Sequence, residues 1–115
     1  MTEFSVKKIK GSYVVMCRNH ARSDVCRGVS AIIYALAQTL TVEHEKGLDE
    51  ELSINLISGE AYISVFPKRE HEERTKLILR TCALGLVTIA QAHPEELKVS
   101  ADCVIGDCFS VGEKS

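Results

Sequence analysis

Residues 13–40 read YVVMCRNHARSDVCRGVSAIIYALAQTL, and this stretch changes its hydrophobic period halfway along. Tyr13 to Arg18 is a short run rich in β-formers, as expected of a half-buried strand. From Asp24 onward, Val25, Val29, Ile32, Ile33, Leu36 and Leu40 recur at steps of three, four, seven and eight, which is one apolar stripe of a helix. Ser23 or Asp24 supplies the oxygen that caps it. The helix is expected to end near Leu40, before the polar run Glu43-His44-Glu45-Lys46 and the stop glycine Gly47.

Working outward, Phe4 to Ile9 is a strand that turns at Lys10-Gly11-Ser12 and pairs with 13–18 as a hairpin. Leu52, Ile54 and Leu56 alternate with Ser53 and Asn55, as in a strand with one wet face. Ser58-Gly59-Glu60 reverses the chain, Ala61 to Phe66 returns antiparallel, and Pro67 stops it. Arg69 to Ala92 reads as a second helix. Its first turn is acidic (Glu70, Glu72, Glu73), its buried side carries Ile78, Cys82, Gly85 and Ile89, and Pro94 ends it. Gly85 costs about 1 kcal/mol relative to Ala inside a helix, so it is expected at a close approach to the first helix. The order is ββαββα, with Leu97–Val99 as a candidate final strand. An α+β two-layer sandwich follows, two helices packed on one face of an antiparallel sheet. Residues 1–99 are expected to form the domain and 100–115 a loose tail.

Bulk properties narrow the function. The chain has 115 residues, 45% of them hydrophobic and 26% charged, as in a globular protein with one core. No uninterrupted apolar run approaches the ~20 residues of a membrane span. Met1-Thr2-Glu3-Phe4-Ser5 lacks the pattern of a secretory signal, so a cytoplasmic location is expected. Net charge is −2, divided as +4 over residues 1–40 and −6 over the rest. The absence of Trp and the acidic second part argue against a nucleic-acid partner. The odd count of five cysteines fits reduced thiols in a reducing compartment. Cys17 and Cys82 lie on core faces. Cys103 and Cys108 make half a metal site at most, and no compact motif supplies the other ligands. His44 and His71 lie in acidic surface stretches.

The segment with chemical potential is Asn19 to Ala31. With Asp24 as cap, Cys26 falls at the second helical position, where N–H groups lack intrahelical acceptors and the helix dipole is positive. A thiol there ionises more readily, and the thiolate is the nucleophile. The same N–H groups suit the oxyanion of an acyl-transfer intermediate. His20 stands six positions before Cys26, within reach of it across a sharp strand-to-helix turn. Asp24 either orients His20 or caps the helix, and the spacing favours the cap. By spacing alone, an inert buried cysteine is the commoner reading.

His20-Ala21, Asp24-Val25-Cys26 and Val29-Ser30-Ala31-Ile32 resemble the HA…D…C-x-x-V-S-A signature of the ribosomal-processing cysteine protease family, Prp. Leu77-Ile78-Leu79-Arg80-Thr81, Leu84-Gly85-Leu86, Ile89-Ala90 and the following Pro94 resemble that family's second helix. The resemblance covers residues 4–99. It implies a cysteine endopeptidase that removes a short N-terminal extension from a large-subunit ribosomal protein, acts as a homodimer and needs no cofactor or metal. It makes Cys26 the nucleophile, His20 its base, and Asp24 and Ser30 supporting residues. The chain departs from the family in having only Arg22 and Ser23 between Ala21 and Asp24, where a longer glycine-rich loop is usual. Asn19 replaces a usual Gly, and Arg27-Gly28 replaces small apolar residues. Two alternatives therefore stand beside the main reading: a prophage-type peptidase acting on a phage structural protein, and a non-catalytic module of the same fold that binds a peptide or a ribosomal surface.

Overall fold

The computed structural model describes residues 1–18, 24–57 and 59–106. The elements are β1 (Thr2–Ile9), β2 (Ser12–Arg18), α1 (Asp24–Glu45), β3 (Asp49–Ile57), β4 (Glu60–Pro67), a 3-10 turn (Arg69–His71), α2 (Glu72–Ala92), β5 (Leu97–Ser100) and the short α3 (Asp102–Ile105). One five-stranded sheet has the order β3-β4-β2-β1-β5. Four strands are antiparallel, as expected, and β5 lies parallel to β1 at the edge, so the sheet is mixed.

The β1–β2 hairpin turns on Lys10 and Gly11, both with positive φ (52° and 87°), as a two-residue reversal with the right twist requires. A Cβ on Gly11 would also stand 2.9 Å from Phe66 Cε1, so a side chain there would have to push the Phe66 ring aside as well as adopt a positive φ. Strand alternation then directs Phe4, Val6, Tyr13, Val15, Cys17, Ala61, Ile63 and Val65 toward the helices, all of them buried. Val29, Ile33, Leu36 and Leu40 of α1 meet them, together with Leu79, Ala83, Leu86 and Val87 of α2. By length and composition both helices could cross a membrane. Each instead lays an apolar stripe against the sheet, as the core helix of a globular protein does.

The helices touch through two glycines. Gly85 faces Ile32, with room for a Cβ at 3.4 Å from Ile32 Cδ1, and Gly28 faces Ile89 with only 3.3 Å. The tighter approach is thus at Gly28 rather than at Gly85. α1 runs to Glu45, more than a turn past the expected end. Glu43 is the cause: its carboxylate is buried and accepts hydrogen bonds from Arg74 Nε and, at 3.2 Å, Nη2 of α2. Gly47 (φ 79°) then closes the helix, with Leu48 N–H bonded to Glu43 O and Gly47 N–H to His44 O.

The expected tail begins inside the core. Ala101, Val104 and Ile105 are buried, Arg80 Nε donates to Val104 O at 2.7 Å, and Cys103 Sγ donates to Val6 O at 3.3 Å. Tyr13, wholly buried, donates its hydroxyl to Glu72 at 2.7 Å, and Lys8 reaches the same carboxylate at 2.6 Å. This joins the first hairpin to the start of α2.

Candidate active site

Cys26 is the third residue of α1, one position later than expected, because the helix begins at Asp24. It remains within the first turn, where the backbone N–H groups have no intrahelical acceptors. Val25 and Val29 are buried beside it and fix the rotation of the helix, and Cys26 itself is 9% exposed. Asp24 points into solvent, with its carboxylate 3.5 Å from the equally exposed Arg27 guanidinium. His20, Asn19, Ala21, Arg22 and Ser23 lie outside the described residues, as do Ser58 and Cys108.

One turn past Cys26, Ser30 enters a cavity of about 240 Å³ between α1 and the β3–β4 hairpin. Ile33, Tyr34, Leu56, Ile57, Gly59, Glu60 and Ala61 complete its walls. Tyr34 and Ile57 are large apolar side chains left more than half exposed (56% and 58%), an arrangement suited to receiving another apolar group. No motif in the sequence marks this cavity. What α1 offers is a spacing: Cys26, Ser30 and Tyr34 recur every four residues and define one edge of the helix. The hairpin wall depends on tertiary packing, which no local pattern reports.

The other described cysteines are buried or half-buried thiols. Burial pushes Cys17 up to about 12, with a further push from the nearby Cys26. Burial likewise pushes Cys82 up to about 12, with Cys17 as the second cause. Cys103 is raised by burial as well. At neutral pH these three are protonated thiols. Their burial agrees with the core role expected of Cys17 and Cys82. Among the described residues, no group of His, Cys, Asp and Glu is placed to hold a metal ion. His44 pairs with the buried Asp49 rather than standing alone in solvent.

A thiol in the first turn of a helix, a hydroxyl one turn on, and a half-open cavity beside that hydroxyl can present an extended peptide to a sulfur nucleophile. Residues 1–98 match the family described as cysteine protease Prp. No curated protein matches the chain significantly. Among solved structures, the fold is similar to the essential ribosomal processing protease Prp from S. aureus in complex with a covalently linked product peptide. That match has a TM-score of 0.64 and 22% identity, over 88% of this chain and 99% of the other. The same S. aureus protease in complex with a substrate peptide gives 0.63 and 20%, over 88% and 99%. The Streptococcus mutans protein SMU.848 gives 0.62 and 22%, over 88% and 93%.

Proposed function

This chain belongs to the cysteine protease Prp family, and from that premise we propose that Cys26 and His20 form its catalytic pair and that its substrate is the N-terminal extension of a large-subunit ribosomal protein. The observation that carries the reading is the position of Cys26. It is the one described cysteine in the first turn of a long helix, one turn before Ser30 in the wall of a cavity, whereas Cys17 lies on a strand and Cys82 in the middle of α2.

His20 takes the proton from Cys26 Sγ, and the thiolate attacks the scissile carbonyl carbon. N–H groups of the first turn of α1 receive the developing oxyanion, aided by the helix dipole. Protonated His20 returns its proton to the leaving amine. Water then cleaves the thioester and regenerates the thiol. Ser30 and the cavity beyond it hold the peptide against the sulfur, and Asp24 with Arg27 presents charge at the entrance. The S. aureus structures with substrate and product peptides support a peptide ligand for this fold. The enzyme works as a homodimer in the cytoplasm, where Cys26 stays reduced.

The test is co-expression with ribosomal proteins that carry an N-terminal extension, followed by N-terminal sequencing of each. The expected result is a shortened protein with the wild type and a full-length one with Cys26→Ala or His20→Ala. Shortening by the Cys26→Ala variant at the wild-type rate would sink the proposal. Cleavage of a phage structural protein, with ribosomal proteins left intact, would replace the substrate and keep the mechanism.

A further inference from the structure

An apolar groove of about 440 Å³ runs between the two long helices, with Ile32 and Leu36 of α1 on one side and Leu77, Ile78, Thr81 and Gly85 of α2 on the other. Leu77 at its rim is 55% exposed. A large aliphatic side chain left in water beside an apolar groove marks a surface that receives another apolar group. The described residues end close by. α1 lies over β3 and β4, α3 packs on β1, and α2 runs between them, so α3 and the groove flank α2 on opposite sides. Arg80 of α2 fastens α3 by donating from Nε to Val104 O at 2.7 Å, and Arg80 is the helical neighbour of Leu77 and Thr81 in the groove wall.

The sequence continues as Asp107-Cys108-Phe109-Ser110-Val111-Gly112-Glu113-Lys114-Ser115, which lies outside the described residues. Gly106, Asp107 and Cys108 in extended form reach about 10 Å. That matches the width of a helix with its side chains, about 10–12 Å. Phe109 is therefore the first large apolar side chain able to pass over α2 from α3 to the groove. Charge agrees with this path. Among the described residues Arg80 has no carboxylate partner, and Asp107 is the first carboxylate after α3.

We propose that the C-terminal segment 107–115 straps across α2 and seats the Phe109 ring in the α1–α2 groove, with Asp107 paired to Arg80 on the way. The ring covers Leu77 and closes the groove from the side away from the sheet. Ile32 and Leu36 in the groove wall belong to the helix that carries Cys26, so the strap is a further hold on that helix. The inference does not depend on the catalytic reading.

The chain has no Trp, so Phe109→Trp in the full-length protein gives a single indole reporter at the position in question. Its emission is expected to lie to the blue of that of the urea-unfolded chain, and to resist acrylamide quenching, at every protein concentration. Adding Leu77→Glu, at an exposed rim position, is expected to return the emission to the unfolded value, because the ring cannot stay against a buried carboxylate. Adding Ile57→Ser, at the cavity beside Ser30, is expected to leave it unchanged. A second measurement needs no indole. Phe109→Ser is expected to lower the unfolding midpoint of the otherwise wild-type chain and to have no effect in the Leu77→Glu background. Emission equal to that of the unfolded chain would overturn the inference, and so would a blue shift that survives Leu77→Glu. A blue shift that appears only as concentration rises would place the ring on a second copy and overturn the strap as well. None of these readouts involves Cys26, so the catalytic reading stands or falls separately.

Discussion

The two ends of α1 are built to opposite plans. At the C-terminal end the side chains Glu43 and His44 have hydrogen-bonding partners, Arg74 and Asp49, and the final carbonyls are closed around Gly47. At the N-terminal end the Asp24–Arg27 pair is solvent-exposed, and a cavity opens beside Ser30. Burial and pairing make the first end an anchor between the helices. Exposure and a neighbouring cavity make the second end suited to receiving another molecule. A helix held firmly at one end can present a nucleophile at the other without relying on the presenting end for its stability.

Cys26→Ala tests that separation most severely. Peptide cleavage is expected to fall by at least about a thousandfold in kcat/KM, because the nucleophile itself is gone. Thermal unfolding is expected to move little, since one small side chain contributes about 1 kcal/mol or less. A variant that unfolds instead would make Cys26 a core residue and erase the contrast between the ends. Tyr34→Ala should produce the next largest effect, a loss of about tenfold in kcat/KM carried mainly by KM, since the ring contributes a binding wall and no chemistry. An unchanged KM for peptides that span the cleavage site would remove the cavity from the substrate path.

The anchored end is tested by Glu43→Ala. Truncation leaves Arg74 without its partner across the helix interface and should cost about 1 kcal/mol, a modest figure because the guanidinium is half exposed. The hydrogen bonds from Arg74 hold the Glu43 carboxyl below the ordinary glutamate range. Those from Lys8 and Tyr13 do the same for Glu72. A carboxyl whose pKa is depressed by folding stabilises the fold above its unfolded value, about 4.3, and loses that contribution as pH falls through the folded value. Stability measured by urea titration should therefore decline below about pH 4.5 in the wild type, and less steeply in Glu43→Gln. Cleavage per folded molecule at neutral pH should stay unchanged.

Most of the frame is legible in local pattern. The period-two runs in β1 to β4, the apolar stripes of α1 and α2, and the turns at Gly11 and Gly59 each carry their own signal. What is not legible depends on contacts between distant segments. Glu43 looks like the polar residue that ends a helix, and only Arg74, thirty-one positions later, makes it a residue that prolongs one. The four residues of α3 are too few to nucleate a helix alone, and they form because Val104 and Ile105 have a core to enter. The site divides in the same way. Cys26 and Ser30 stand out on helix spacing and family likeness, whereas Ile57 and Glu60 reach the cavity only through the β3–β4 hairpin.

The mildest change probes the middle of α1, where neither plan operates. A Cβ on Gly85 would meet Ile32 Cδ1 at 3.4 Å, an ordinary contact with a mobile methyl group. On Gly28 it would meet Ile89 Cδ1 at 3.3 Å, closer to the active end of the helix. Ala is favoured over Gly inside a helix by up to about 1 kcal/mol, and at Gly85 nothing opposes that preference. Gly85→Ala should therefore raise the unfolding midpoint slightly and leave cleavage untouched. Gly28→Ala should gain less or lose, because Ile89 must give way, and that displacement reaches α1 only two residues after Cys26. Equal stabilisation by both substitutions would show that the helix interface is looser than the Gly28–Ile89 contact indicates. The first turn of α1 would then owe its position to the sheet beneath it.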